Sequence, residues 1–174
     1  SDAVIDEARS AMADFLNARS AKEIVFGPNM TSLTFQMSRS IGRMLEPGDE
    51  IIISHLEHHA NIVPWQMMCE RKGAVLRVIP INDAGEIILE DYHKLLSSKT
   101  RIVSVTQASN ALGTVLPVKE IINAAHAMNI PVMIDGAQGI QHGILDVKTL
   151  DCDFYVFSGH KIYGPKGIGV LYVK

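Results

Sequence analysis

Several short runs of this chain are apolar almost without interruption. They are Glu50 to Ser54, Ala74 to Ile79, Arg101 to Thr106, Ile130 to Ile134 and Phe154 to Phe157. A strand that is apolar on both of its faces has to be covered on both. Segments with helical spacing lie between the runs. Residues 4–16 repeat Val4, Ile5, Ala8, Met12, Phe15 and Leu16, and residues 117–128 carry Ile121, Ile122, Ala125 and Met128 on one side. Strands alternating with helices predict an α/β fold of three layers, α/β/α, around a mostly parallel sheet.

Turn chemistry divides the rest. Gly27-Pro28-Asn29 ends a short strand over Glu23 to Phe26, and Thr31 is read as the cap of a helix reaching about Leu45. Pro47-Gly48-Asp49 turns into the strand at Glu50. Pro64 suits the first turn of a helix that Gly73 ends after Lys72. Asn82 to Gly85 is a further turn, and Glu90 to Leu96 a short helix. With Ile168 to Val173 the sheet has seven strands. The connection over 158–167 is rich in glycine and too short for a helical crossover, since parallel neighbours need about a dozen residues between them. The last strand is therefore expected to run antiparallel to the rest, or away from 154–157.

The chain has 174 residues, 47% hydrophobic and 20% charged, which is enough for one domain with a core. A net charge of −3 gives no strong attraction to nucleic acid or anionic lipid, and no apolar run is long enough to span a bilayer. No signal-peptide pattern is read at the first residues given. The two cysteines, Cys69 and Cys152, make no disulfide framework and are read as structural, so a cytoplasmic setting is expected. Ser1-Asp2 leads straight into a helical pattern and Lys174 follows directly on a strand, so the chain is read as a piece of a longer protein.

Ligands of open α/β sheets collect at the carboxyl ends of the strands. The unusual polar residues of this sequence fall there. His58 and His59 follow one strand, Asn110 another, and Asp135 and Gln138 a third; Ser158, His160 and Lys161 follow a fourth. Gly27 to Thr31 opens a helix whose free N–H groups suit a phosphate. Adjacent histidines are poor joint ligands and no HExxH spacing exists, so no metal site is read here. A lysine at the edge of an apolar core is desolvated, which favours its nucleophilic neutral amine. A lysine for an aldehyde and an acid for a ring nitrogen are the protein partners of pyridoxal 5′-phosphate (PLP), and Lys161 and Asp135 supply that pair.

The blocks around these residues carry a resemblance. They are Pro47-Gly48-Asp49-Glu50, Glu57 to Trp65 (Glu-His-His-Ala-Asn-Ile-Val-Pro-Trp), Ser109 to Thr114, Asp135-Gly136-Ala137-Gln138, and Asp151 to Lys161 with Tyr163-Gly164-Pro165. The chain resembles the group-II cysteine desulfurases and selenocysteine lyases of the class-V aminotransferase superfamily, fold-type I PLP enzymes. The resemblance implies that 1–174 is the PLP-binding large domain, without the family's C-terminal small domain. It implies that Lys161 carries the cofactor and moves the substrate proton. His58 would stack on the ring and assist proton transfer. Asp135 would pair with the ring nitrogen and Gln138 with the ring hydroxyl. Thr31, Ser158 and His160 would hold the phosphate, and Asn110 would lie near cofactor and substrate carboxylate.

The implied reaction takes sulfur or selenium from L-cysteine or L-selenocysteine, leaving L-alanine and a protein persulfide. The implied partners are the amino-acid substrate, a second copy in a homodimer, and a sulfur-acceptor protein. The family's persulfide cysteine and carboxylate-binding arginine belong to a later region, and neither Cys69 nor Cys152 matches that nucleophile's position. Where relatives usually have a Gly-Thr-Thr-Glu-like phosphate loop, this chain reads Gly27-Pro28-Asn29-Met30-Thr31-Ser32. Transaminase, epimerase and kynureninase-like activities share the lysine and the acid and stay open alternatives. A scaffold that binds no PLP is a further one.

Overall fold

The computed structural model describes residues 2–143 and 145–174. The reading that began at Ser1 lies outside them. Seven strands form one sheet: β1 (Ile24–Gly27), β2 (Glu50–Ser54), β3 (Val75–Ile79), β4 (Thr100–Thr106), β5 (Val132–Asp135), β6 (Phe154–Ser158) and β7 (Gly169–Val173). Their spatial order is β1-β7-β6-β5-β4-β2-β3. Strands β2 to β6 pair in parallel, while β7 pairs antiparallel with both β6 and β1. The expected antiparallel strand is thus β7, and it lies directly beside β6.

The helices are α1 (Asp2–Leu16), α2 (Met30–Gly42), α3 (Val63–Lys72), α4 (Leu89–Leu95), α5 (Val118–His126) and α6 (Val147–Leu150). Two apolar clusters show which helix covers which face. Ile51 and Ile53 of β2, Ile102, Met133, Val156 and Leu171 pack with α2 and α3. The residues between them, Ile52, Val103, Val132, Tyr155 and Val170 among others, pack with α1, α4, α5 and α6. The period of two is that of a strand, and it assigns alternate side chains to opposite layers. All five residues of β2 are buried, which explains their uninterrupted apolar run; each large aliphatic chain so buried contributes about 1.5–3 kcal/mol.

The sides follow from chain direction. The steps β1 to β2 and β2 to β3 move one way across the sheet, and their helices α2 and α3 share a face. The chain then turns back from β3 to β4 and on through β5 to β6, and α4, α5 and α6 lie on the other face. Right-handed crossovers require this change of side when the direction reverses. The reversal puts the divergence of connections between β2 and β4, where doubly wound sheets open a crevice.

Local differences from the sequence reading have simple causes. The cap of α2 is Asn29, whose Oδ1 accepts from Ser32 N at 2.8 Å; Thr31 is the second helical residue instead. The helix α6 was not expected, because four residues carry no periodicity. Its signal is Asp146, whose Oδ1 accepts from Thr149 N at 2.9 Å.

Candidate active site

The carboxyl ends of β2, β4, β5 and β6, with the start of α2, surround a cavity of about 270 Å³. All eight residues singled out from the sequence line it. Thr31 comes from α2, His58 from the connection after β2, and Asn110 from the one after β4. Asp135 and Gln138 come from the end of β5; Ser158, His160 and Lys161 come from the end of β6. Met30, Ala60, Thr106, Ala108 and Ala137 complete the wall.

Asp135 ends β5 and is 2% exposed. Its Oδ1 accepts from Ala137 N at 2.9 Å, and its Oδ2 has no hydrogen-bond partner among the described residues. Burial raises its pKa to about 6, against the lowering effect of the Ala137 N–H and the Lys161 charge. Lys161 is half-buried in the same lining and makes no hydrogen bond or ion pair among the described residues. A buried acid with one open oxygen and an unengaged amine therefore share one cavity.

Gly136 explains how Asp135 can end its strand here. A Cβ at Gly136 would lie 2.1 Å from the Tyr155 ring. That ring is fully buried, and its hydroxyl donates to Gln107. Gly169 serves the other side. A Cβ there would fall 2.5 Å from the backbone of Asn29, so glycine lets the start of α2 rest on β7. Ser158 fixes the same helix end, since its Oγ accepts from Met30 N at 2.9 Å. With Ser32 N capped by Asn29, the Thr31 N–H between them has no partner among the described residues. An unpaired N–H at the positive end of a 13-residue helix suits an anionic group.

His58 is exposed at the cavity rim, and its Nδ1 accepts from Ala60 N at 3.1 Å. In the neutral ring the proton is then on Nε2. The residue before it, Glu57, belongs to the Glu57 to Trp65 block and carries no expected role of its own. It is a buried carboxyl that accepts from Ser54 Oγ at 2.6 Å, Asn61 Nδ2 at 2.7 Å and Thr106 N at 2.9 Å. A glutamate beside two histidines gives no sequence signal of burial, so this layer behind the cavity was not foreseen.

Both cysteines lie away from the cavity wall. Cys69, on α3, packs in the layer of α2 and α3, and Cys152 packs in the opposite layer. Burial pushes their thiols up to about 11 and about 12, so neither is a ready thiolate. Among the described residues, no helix is long and apolar enough to cross a membrane.

Comparison with known proteins agrees with this geometry. The family profile described as Aminotransferase class-V matches residues 1–174. A cysteine desulfurase of Enterobacter sp. (strain 638) is 55% identical over 171 residues, covering 98% of this chain and 42% of that protein. A cysteine desulfurase of Synechococcus elongatus is 53% identical over 170 residues, covering 97% of this chain and 27% of that protein. Among solved structures, the cysteine desulfurase CsdA from Escherichia coli superposes with a TM-score of 0.94 at 41% identity, covering 99% of this chain and 44% of that one. The chain thus spans less than half the length of these relatives. A whole-length family match on a fold with an acid and a lysine facing one cavity leaves a single assignment: this chain belongs to the class-V aminotransferase family.

Proposed function

We propose that this chain is the PLP-binding large domain of a cysteine desulfurase that releases sulfur from L-cysteine and leaves L-alanine. The observation that carries the reading is the shared cavity of Asp135, with its open oxygen, and the unengaged Lys161. PLP, when bound, supplies an electron sink that accepts the charge left when the substrate Cα loses its proton. The residues present fit that group. Lys161 would offer the amine for the cofactor aldehyde and would hold the substrate proton. Asp135 would partner the ring nitrogen and favour its protonated form by its negative charge. Gln138 would hydrogen-bond the ring hydroxyl, and His58, with its proton on Nε2, would lie against the ring. Thr31, Ser158 and His160 would hold the phosphate at the start of α2, where the helix dipole favours negative charge. Asn110 would orient the substrate carboxylate.

The persulfide-forming thiol is not in this chain, because Cys69 and Cys152 are buried with raised pKa values away from the cavity. It belongs to the remainder of a full-length enzyme. In this proposal the working enzyme is a cytoplasmic homodimer that passes sulfur to an acceptor protein, and the identity to desulfurases supports the acceptor. The test is product analysis with the full-length protein and L-cysteine. Alanine and sulfide, in the presence of a reductant, support the reading. PLP binding without alanine release moves the assignment to another class-V activity.

A further inference from the structure

Behind the cavity wall is a group of buried polar side chains that the proposed reaction does not use. Glu57 is 8% exposed and Asn61 is fully buried. Glu57 Oε1 accepts from Ser54 Oγ at the end of β2 and from Thr106 N at the end of β4. Its Oε2 accepts from Asn61 Nδ2. Asn61 Oδ1 in turn accepts from Trp65 Nε1 of α3 at 3.0 Å and from Ser104 Oγ of β4 at 2.7 Å.

The direction of these bonds is forced. An indole N–H can only donate, so Trp65 fixes which end of the Asn61 amide is oxygen. The Asn61 NH₂ then has to face Glu57, and a backbone N–H faces it from Thr106. Both carboxyl oxygens of Glu57 must therefore accept, without a cation paired to it among the described residues. Burial raises this carboxyl to about 7, against the three donors and with the charge of Asp135 adding to the rise. Three donors on one buried group form an over-determined joint between two strands and a helix.

The joint brackets His58. Glu57 precedes it, and Asn61 ends the single 3₁₀ turn (His59–Asn61) whose Ala60 N–H is accepted by the His58 ring. It also reaches the neighbouring strand, since Thr106 stands in register with Asp135.

We propose that Glu57 and Asn61 are positioning residues, whose fixed donor and acceptor order holds the His58 ring over the cavity. The proposal rests on the functional reading above only for its kinetic consequence. Glu57→Gln sets two NH₂ groups against each other, and Asn61→Asp sets two carboxyls against each other. The double variant Glu57→Gln/Asn61→Asp reverses one bond and restores every partner: the new amide donates to the new carboxylate, which still accepts from Trp65 and Ser104.

The experiment uses the full-length protein loaded with PLP, in the wild type, both single variants and the double variant. Three readouts are taken: thermal unfolding, kcat and KM for alanine release, and the nitrogen NMR signals of the His58 ring, assigned with His58→Gln. Each single variant is expected to lose about ten- to a hundredfold in kcat, as small misplacements at an active site do. The Glu57→Gln spectrum is expected to show His58 released from its Ala60 bond. The double variant is expected to recover most of both. Singles with wild-type kcat and an unmoved His58 signal overturn the proposal, as does a folded double variant no better than its parents. If the single variants do not fold, Trp65→Phe removes only the indole donor; a several-fold loss of kcat with a shifted His58 signal is expected, and no change in either overturns the proposal. A wild type that releases no alanine defeats the desulfurase reading, while the His58 signals still decide the positioning claim.

Discussion

At the scale of single residues, Asp135 carries the most consequence. Its carboxyl is raised from the ordinary 3.8 to about 6, first by burial. Between those values the folded protein holds a proton that the unfolded chain has lost, so stability falls as pH rises through this window. The cofactor-free protein should therefore lose stability from pH ~4 to ~7, by on the order of 2–3 kcal/mol from this one group. Asp135→Asn keeps the acceptor for Ala137 and removes the titration, so its urea midpoint should stay flatter across the same range. Parallel slopes for wild type and variant would contradict the assignment. In the loaded full-length enzyme the same variant should still bind PLP at Lys161 but turn over on the order of a hundredfold more slowly, because the charge facing the ring nitrogen is gone. Undiminished kcat would remove Asp135 from the mechanism. Asp135 and Lys161 were legible in sequence because one ends a strand run and the other follows closely on one. Glu57 was not, since no local pattern distinguishes a carboxyl folded under its own loop from one in water.

At the scale of elements, the connections after β5 and before α2 set the cavity's shape. Gly136→Ala drives a methyl group into the fully buried Tyr155 ring. It should cost about 1–3 kcal/mol by overpacking and weaken PLP binding through displacement of Ala137 and Gln138. Denaturant midpoints and PLP titrations check both, and a neutral variant would mean that the ring moves freely. Asn29→Ala removes the Ser32 cap and should cost about 0.5–2 kcal/mol, measured the same way. Most strands and long helices could be read from their runs and periods. The cap of α2 could not, because Asn29, Thr31 and Ser32 are all good capping residues; in the fold Asn29 takes the role, with Gly169 close against its backbone. The helix α6 was missed because its one turn is held by Asp146 alone.

At the scale of the molecule, the number of strands, their parallel pairing and the reversed last strand followed from run lengths and a short glycine-rich connection. The spatial order did not. Nothing local in β3 says that it is an edge, except in retrospect that Val75 and Arg77 are exposed while β2 is wholly buried. The order matters because the reversal between β2 and β4 brings His58 and Asn110 to one crevice. The surface holds a second feature at this scale. An apolar groove runs between α1 and the turn before β7, with Val4, Ile5 and Ile168 exposed along it. Exposed apolar surface of this kind predicts that the isolated chain self-associates. Light scattering checks this, and a monodisperse monomer would contradict it.

The proposed PLP site is one cavity that sets an amine and an acid on the cofactor. Its most direct test is to saturate the protein with PLP, reduce with borohydride and map the modified residue by peptide mass. A single adduct on Lys161, absent from Lys161→Ala, is expected. An adduct on another lysine, or none under saturating PLP, would contradict the proposed site.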